Sequence, residues 1–505
     1  MTVSSATGDG RSVLVFGDQC NASLTALAGA HVGIDRILFV EAAHIIDRAQ
    51  WHKQRLHFIL SSMRHFAAAL AEKGHLVDYR YAATMRAGIA AHQAEFGPTT
   101  VTATEPNSRG ARDLLAALGV ETVPSNQFLT DPGEFAAWAA TRKSLKMEDF
   151  YRRQRVRLGY LVDGGEPVGG QWNYDHDNRL PPPKRGEYPW PAPPTDALDE
   201  IDTAVIDALP DHCVGDVPTG LWATTRAGAL RRLRHFVDEL LPMFGPHEDA
   251  MLSDNWHLAH SMLSPYLNNG LLHPREVCDA VQAAFDAGRV PIASAEGFIR
   301  QVIGWREYVW GLYWLFEPDY ASSNALDAHR PLPPAFTDPG STKMKCVGGC
   351  VDDIHRRGWA HHIQRLMVLG NLSLIAGVDP RAVTEWMWAN FVDGAEWVMV
   401  PNVVGMSLHA DGGRMATKPY ASGGAYIDRM SNYCKTCVYD RKKRTGDDAC
   451  PFTTLYWDFL LRHAGRFVRN PRMSTQVRAA QKLSDAVEVQ NRATEVLAML
   501  DSGRL

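Results

Sequence analysis

Residues 34–81 read IDRILFVEAAHIIDRAQWHKQRLHFILSSMRHFAAALAEKGHLVDYRY. A short apolar run, IDRILFVE, comes first and closes on Glu41. Apolar residues at helical spacing follow through QRLHFILSSMRHFAAALAEKG, which stops at Gly74, a helix C-cap signal. HLVDYRY then reads as a second strand. The unit is strand–helix–strand. Upstream, SVLVF at 12–16 ends in Gly17, Asp18 and Gln19. Downstream, the helix IAAHQAEFG, the strand TTVTATEP, the helix RDLLAALG and the strand VETVPSN continue the alternation. Such alternation predicts an α/β doubly wound parallel sheet over residues 11–130, after a flexible polar tail at 1–10. Ligands of these sheets bind beyond the strands' carboxyl ends, where Gly17, Asp18, Gln19, Glu41, Glu105 and Pro106 stand. No G-x-G-x-x-G follows the first strand, so a dinucleotide fingerprint is absent.

Residues 131–223 change character. MEDFYRRQRVRLGYLVDG is helix-like and basic, and GGQWNYDHDNRLPPPKRGEYPWPAPP is rich in Gly, Pro and aromatics. This stretch reads as an ordered connector winding over another domain. From 224 to 505 strand signals nearly vanish. Segments such as AGALRRLRHFVDELLPMFG, PREVCDAVQAAFDAG, AEGFIRQVIGWREYVWGLYWLF, DPRAVTEWMWANFV and VRAAQKLSDAVEVQNRATEVLAML predict an all-α domain.

The chain has 505 residues and a net charge of −5, which gives no general support for nucleic-acid binding. Basic residues nonetheless cluster at Arg152, Arg153, Arg155 and Arg157, at Arg226, Arg231, Arg232 and Arg234, and at Arg441 to Arg444. A secretory signal and a bilayer-spanning apolar run are both absent. Eight cysteines without such a signal argue for a reducing, cytoplasmic setting and for metal or thiol chemistry. Cys20, Cys213 and Cys278 are scattered and read as buried structural thiols. The others concentrate. SNYCKTCVYDRKKRTGDDACP at 431–451 holds Cys434 and Cys437 as C-x-x-C and Cys450 before Pro451. A fourth thiolate comes from Cys346 or Cys350 in STKMKCVGGCVDD. Four thiolates suit a structural zinc or an iron–sulfur cluster, and the Cys-Pro ending leans to the latter.

Four stretches of the helical half are unusual for a plain bundle. HLAHSMLSPYLNNGLL at 257–272 brings His260, Ser261 and Ser264 up to a helix start at Pro265, a ready phosphate site. EGFIRQVIGWREYVWGLYW at 296–314 places Glu296, Arg300, Gln301, Trp305, Arg306 and Tyr308 on a helix otherwise full of aromatics, where buried charges need partners: a ligand or an ion-pair network. WAHHIQRLMVLGN at 359–371 carries His361 and His362, which as neighbours point to different faces. FVDGAEWVMVPNVVGMSLHADGG at 391–413 sets Asp393, Glu396 and Asn402 in an apolar context, with Trp386, Trp388 and Trp397 close by.

Together with GDQ at 17–19, TEP at 104–106, RKSLKMEDFYR at 142–152, PVGGQWNYDHDNR at 167–179, TKPYASGGAYIDRMSNYC at 417–434 and CPFTTLYWDF at 450–459, these stretches resemble the photolyase/cryptochrome superfamily, in particular its iron–sulfur branch of bacterial (6-4) photolyases and their cryptochrome relatives. The resemblance implies an α/β antenna domain and a helical domain binding FAD, with His260, Ser261, Leu263, Ser264, Trp305, Arg306, Tyr308, Asp393, Glu396 and Asn402 near the flavin. It implies a [4Fe-4S] cluster on Cys346, Cys434, Cys437 and Cys450, leaving Cys350 a bystander. His362 matches the active-site histidine of (6-4) enzymes, and Tyr420 and Asp249 the lesion pocket. The implied activity is light-driven repair of (6-4) photoproducts in UV-damaged DNA by an electron from reduced FAD, with His362 donating a proton and the basic clusters holding phosphates; a monomer is implied.

The chain departs from the family's pattern in two places. Trp386 resembles the flavin-proximal electron donor, but Met387 and Asp338 stand where relatives have tyrosine and tryptophan, which reroutes the path, for instance through Trp388. The antenna chromophore implied for Gly17, Asp18, Gln19 and Glu41 is 6,7-dimethyl-8-ribityllumazine, yet Ile45 occupies a place usually acidic. Two competing readings are a blue-light photoreceptor of the same fold, favoured by the altered electron path, and a flavin-free iron–sulfur protein that binds nucleic acid.

Overall fold

The structure is a computed structural model that describes residues 10–184 and 186–505. The tail expected at 1–10 therefore falls, except for Gly10, outside the described residues. Five strands form a parallel sheet: β1 (Ser12–Leu14), β2 (Arg36–Ala42), β3 (Leu76–Ala82), β4 (Val101–Thr104) and β5 (Glu121–Val123), in the order β3-β2-β1-β4-β5. The order reverses beside β1, so a crevice opens at the carboxyl ends of β1 and its neighbours. Strand periodicity explains why both faces are buried. Val13, Ile37 and Phe39 pack on Phe58, Met63 and Leu70 of the helix Lys53–Glu72. Leu14, Leu38, Val40 and Ala103 pack on Met85, Ile89 and Leu115 from the helices Met85–Phe96 and Arg109–Ala117. The last two helices start where the side chains of Thr84 and Ser108 accept from Ala87 and Ala111 N–H groups, a local signal that costs about 1 kcal/mol to remove.

The connector is more regular than expected. It holds the helices Pro132–Ala140, Met147–Leu158 and Glu200–Asp207, two of them capped by Asp131 and Asp199. Arg155, fully buried, donates to the carbonyls of Tyr160, Leu161, Gln171 and Trp172 and so pins the turn that follows its helix. Among the described residues no strand follows Pro167. The predicted helices are present, with one correction. The stretch 477–500 is two helices, Ser474–Ala480 and Ala486–Asp501, because the chain turns at 481–485. Among the helices that escaped the sequence reading, Lys345–Arg357 and Pro451–Arg462 each have a cysteine at or beside their start.

Four helical stretches among the described residues widen into π turns: Phe236–Leu240, Arg300–Arg306, Gln364–Gly370 and Pro401–Ser407. A π turn adds one residue to the helix and re-aims the side chains around it; such bulges concentrate at functional sites. Three of the four carry polar residues singled out in the sequence or found beside them: Trp305 and Arg306, Arg365, and Asn402.

Candidate functional site

The cysteines resolve first. Cys346 begins the helix Lys345–Arg357, Cys434 lies in the short turn Tyr433–Thr436 with Cys437 just after it, and Cys450 caps the helix Pro451–Arg462. All four line one cavity, walled by Met344, Ile427, Tyr433, Tyr439 and Phe452. Gly424 completes the wall, since a Cβ there would sit 2.8 Å from Cys450 Sγ. Cys350 lies outside that lining and meets Tyr433 and Gln364. Burial raises the Cys346 and Cys450 thiols, and it pushes Cys434 up to about 12, with neighbouring cysteines adding to the effect. Buried thiols held this close become ligands together only when a cationic centre compensates them. The donor set, the apolar wall and the space kept by Gly424 fit a metal centre.

A second node gathers around Asp393. Arg365 clamps its carboxylate in bidentate fashion at 2.9 and 3.1 Å, Ser264 donates to it at 2.7 Å, and Asn268 donates to its main-chain carbonyl at 2.9 Å. Arg365 also donates to the Ala360 carbonyl at 2.6 Å and lies 3.9 Å over the Phe391 ring. Sequence reasoning missed Arg365, the cation of this site. Its signal was an arginine in the apolar run IQRLMVLG, the same pattern that marked Arg300.

Beside Arg365 sits a group of histidines. His260 and His361 stack with ring centroids 4.4 Å apart, Nε2 of His260 and both ring nitrogens of His361 lack partners, and His362 is exposed. Burial, helped by neighbouring histidines and Arg365, depresses His260 to about 3 and His361 well below its usual range. Crowding by the surrounding protein, then the charge of Arg365, puts His362 at about 4, although its ring reaches solvent. Arg306 Nε is likewise buried without a partner, while its other nitrogens meet Glu307 at 2.8 Å and the Leu267 carbonyl at 3.3 Å. Orphaned buried donors and acceptors are the mark of a site that a polar ligand completes. Ser261, Ser264, Trp305, Glu396 and Asn402 are half-buried, while Leu263 is in the core. Glu396 accepts from Tyr313 at 2.9 Å, and Asn402 donates to its own helix at Val398. Tyr308 is set in the aromatic core against Phe135, Trp138 and Phe150.

The buried charges of 296–306 divide in two. Arg306 stays with the site. Glu296 and Arg300 form an ion-pair network with the connector: Glu296 accepts from Tyr151 at 2.7 Å and from Tyr174 N–H at 2.8 Å, and Arg300 reaches Asp175 at 3.4 Å. Gln301 donates to Glu248, whose burial lifts it to about 8. Asp249 is raised by burial and opposed by Arg179. The Tyr420 hydroxyl, also raised by burial, feels Arg472, Arg179, Asp175 and Asp249. Lys418 lies 5.9 Å over Tyr420, and Arg429 5.6 Å over Tyr426. Asp249 and Tyr420 thus share one basic-rimmed patch.

The three basic clusters of the sequence are a correction, because most of their charge is spent internally. Arg152 pairs with Glu148, Arg153 with Glu134, Arg226 with Glu276, Arg231 with Asp196, Arg441 with Asp428, Lys443 with Asp448 and Arg444 with Asp485. Arg155 and Arg232 are buried on carbonyls. Trp386 and Trp388, two residues apart on the helix Pro380–Asn390, face opposite sides: Trp386 packs on Phe336 and Phe391, Trp388 on Trp51 and under Arg48.

At the sheet's carboxyl end, Gln19 donates to the Glu105 carbonyl at 3.0 Å and Asp18 accepts from Asn107 at 3.0 Å. A Cβ on Gly17 would meet Met63 Sδ at 2.7 Å. Glu41 is held by Arg64 at 2.8 and 3.0 Å and by Tyr79. Cys20 N–H and Gln127 reach the carbonyls of Asn269 and Asn268, tying this edge to the helical domain.

Residues 13–218 match the family model for deoxyribodipyrimidine photo-lyase-related protein. Over 507 aligned residues the chain is 41% identical to a (6-4) photolyase of Agrobacterium fabrum, covering 97% of this chain and 99% of that one. A bacterial class III photolyase from Agrobacterium tumefaciens has a similar structure, with TM-score 0.56 and 16% identity, covering 99% of each chain. A Synechocystis cryptochrome gives TM-score 0.56 and 15% identity, covering 96% of this chain and 94% of that one. These two likenesses speak for the fold.

Proposed function

Because the chain belongs to the (6-4) photolyase family, we propose that it restores (6-4) pyrimidine photoproducts in UV-damaged DNA under blue light. Family membership implies FAD. The observation that carries the proposal is the exposed His362 beside Arg365 and the unpartnered His260–His361 pair, in a chain so similar over nearly its whole length to a protein of that name. When bound, reduced FAD supplies the electron that light drives into the lesion.

The protein's own part is to hold, orient and move a proton. The Arg365–Asp393–Ser264 clamp fixes the segment 391–394 against the helix Ser264–Asn268 and presents His260, Ser261, Arg306 and Asn402 to the flavin. His362 is neutral at rest because crowding and Arg365 disfavour its charged form. Phosphodiester charge arriving with the lesion opposes Arg365 and restores the imidazolium, so substrate binding loads the proton that the displaced group needs. The patch of Asp249, Tyr420 and Tyr426, rimmed by Lys418, Arg429, Arg472 and the Arg179–Asp175 pair, receives the extruded dinucleotide, with Lys418, Arg429 and Arg472 as the phosphate contacts.

The cysteine cage holds a [4Fe-4S] cluster; thiolate donors on a C-x-x-C and a Cys-Pro helix start support it. The antenna chromophore, 6,7-dimethyl-8-ribityllumazine, lies at the carboxyl ends of β1 and β2, supported by the exposed Tyr81 beside the Arg64–Glu41 pair. The protein acts as a cytoplasmic monomer; no helix among the described residues is long and apolar enough to cross a membrane. The test mixes chemically reduced protein with a duplex bearing one (6-4) photoproduct, illuminates it and chromatographs the products. Restored thymines, absent in the dark and absent for His362→Ala with FAD retained, support the reading. No repair by a light-responsive flavoprotein refutes it and leaves a photoreceptor.

A further inference from the structure

We propose, resting on the reading of His362 as the proton donor, that Gln364 is a positioning residue: it ties the cysteine cage to the helix start on which His362 stands, so that the cage helps to aim that histidine. Gln364 is fully buried and opens the π turn Gln364–Gly370. Its amide is used at both ends. Oε1 accepts from the His361 N–H at 3.1 Å, and Nε2 donates to the Tyr433 hydroxyl at 3.0 Å. Asp353 takes a further hydrogen bond from the same side chain. The His361 end is a helix-start device. His361 lies just before the first helical residue, His362, and its carbonyl accepts from the Arg365 N–H at 3.1 Å. Gln364 is then the third residue of the helix, the place from which a glutamine side chain reaches back to the N–H of the capping residue. That N–H is one of the donors no helix can satisfy internally. Without Gln364 it would stay buried and unpaired, and the angle at which the chain enters the helix, which aims His362, would be free to drift.

The other end meets the cage twice. Tyr433 walls the cavity and immediately precedes Cys434. A Cβ on Gly349 would fall 3.1 Å from the Tyr433 ring, so the ring packs directly on the helix Lys345–Arg357. Asp353, held by Arg357 at 2.6 Å, stands on that same helix, which carries Cys346. Both elements that give Gln364 its outer partners therefore also give the cage a cysteine. The inner partner, His361, belongs to the stacked histidine pair. Tyr433, Gln364 and His361, none more than 2% exposed, make one continuous hydrogen-bonded link between the two.

The test compares the wild-type holoprotein with Gln364→Met, which keeps the volume and removes both hydrogen bonds, and with Tyr433→Phe, which keeps the aromatic wall and removes one. Diethyl pyrocarbonate labelling in the dark, located by peptide mass spectrometry, reports on the histidines without any repair. Wild type should label at the exposed His362 and not at the buried His361; both variants should label His361 as well, while keeping iron and FAD. In repair of a single (6-4) lesion, kcat of Gln364→Met should fall about 10–100-fold, as for a reacting group held slightly out of place, with KM unchanged. His361 protected equally in all three proteins, or a Gln364→Met kcat equal to wild type, overturns the proposal. If Gln364→Met loses its iron, Tyr433→Phe decides: iron kept with His361 labelled supports the link, and iron kept with His361 protected refutes it. Iron lost from both variants assigns the two residues to the cage alone and also refutes it. A wild type that does not repair counts against the reading of His362, while the labelling still judges the link.

Discussion

Replacing Arg365 with methionine removes both charge-assisted hydrogen bonds from Asp393 and the bond to the Ala360 carbonyl, while keeping an apolar side chain against Phe391. Asp393 is 8% exposed at its side chain and Arg365 17%. Removing one partner of a buried pair costs about 3–5 kcal/mol, because the other charge stays buried and uncompensated. Ser264 still donates to Asp393, and Arg365 is partly solvated, so the lower end, about 3 kcal/mol, applies here. If the all-α half of roughly 280 residues unfolds as a unit, its unfolding entropy of about 0.6 kcal/mol/K turns this into a fall of ~5 °C in Tm. The assay is a double-mutant cycle of Arg365→Met and Asp393→Asn, read by urea unfolding and by retained FAD. The double variant should recover part of the loss, with a coupling of at least ~1.5 kcal/mol. An Arg365→Met protein that unfolds at the wild-type temperature, or a cycle additive within ~0.3 kcal/mol, would refute the clamp.

Cys437→Ala should lose iron and acid-labile sulfide and destabilise the surrounding helices, whereas Cys350→Ala should keep its iron; soluble, iron-loaded Cys437→Ala would contradict the ligand set. Gly424→Ala drives a Cβ to 2.8 Å from Cys450 Sγ, so iron content per chain should fall without any ligand being removed, and full occupancy would show that the wall yields. His52 and His257 are both held near 4 by burial and His260 near 3. Their folded pKa values are depressed, so between about 4 and 6.5 the unfolded chain binds protons that the folded one refuses. Stability is then complete above pH 6.5 and falls on acidification, by about 2 kcal/mol for each such residue at pH 5. Urea midpoints measured from pH 7.5 to 5 check this, and a flat profile would show that these histidines are protonated in the folded state.

The sheet was legible because its strands and helices carry incompatible periods, and Gly74 and Gly97 end the helices Lys53–Glu72 and Met85–Phe96 close to where the pattern stops. The helix Lys345–Arg357 was not, because KCVGGCVDD puts two glycines in its first half, although Val347, Val351 and Ile354 give it a buried apolar face. Cys346 and Cys350 are one turn apart, so spacing left both open; in the fold Cys346 lines the cavity with the other three cysteines while Cys350 meets Tyr433 and Gln364. Charge runs misled for the opposite reason. Arg152 and Arg441 look free in sequence, but Glu148 stands four residues before the first, and Asp428 reaches the second through the fold. Arg365 shows the reverse: the reading of the apolar run IQRLMVLG passed over a lone cation that clamps Asp393.

The widened turns at Arg300–Arg306, Gln364–Gly370 and Pro401–Ser407 carry a genetic consequence. Each stores one residue more than an α-helix of the same span, so loss of a single codon can be absorbed there without breaking the helix. Side chains beyond such a deletion keep their facing, because it is the bulge that closes; only those inside the widened turn are re-aimed. A frame-preserving deletion within 364–370 would thus leave a foldable helix whose flanks face as before while the residues of the turn, Arg365 among them, no longer do. In this chain the extra residue of each turn, as much as residue identity, is what heredity has to preserve.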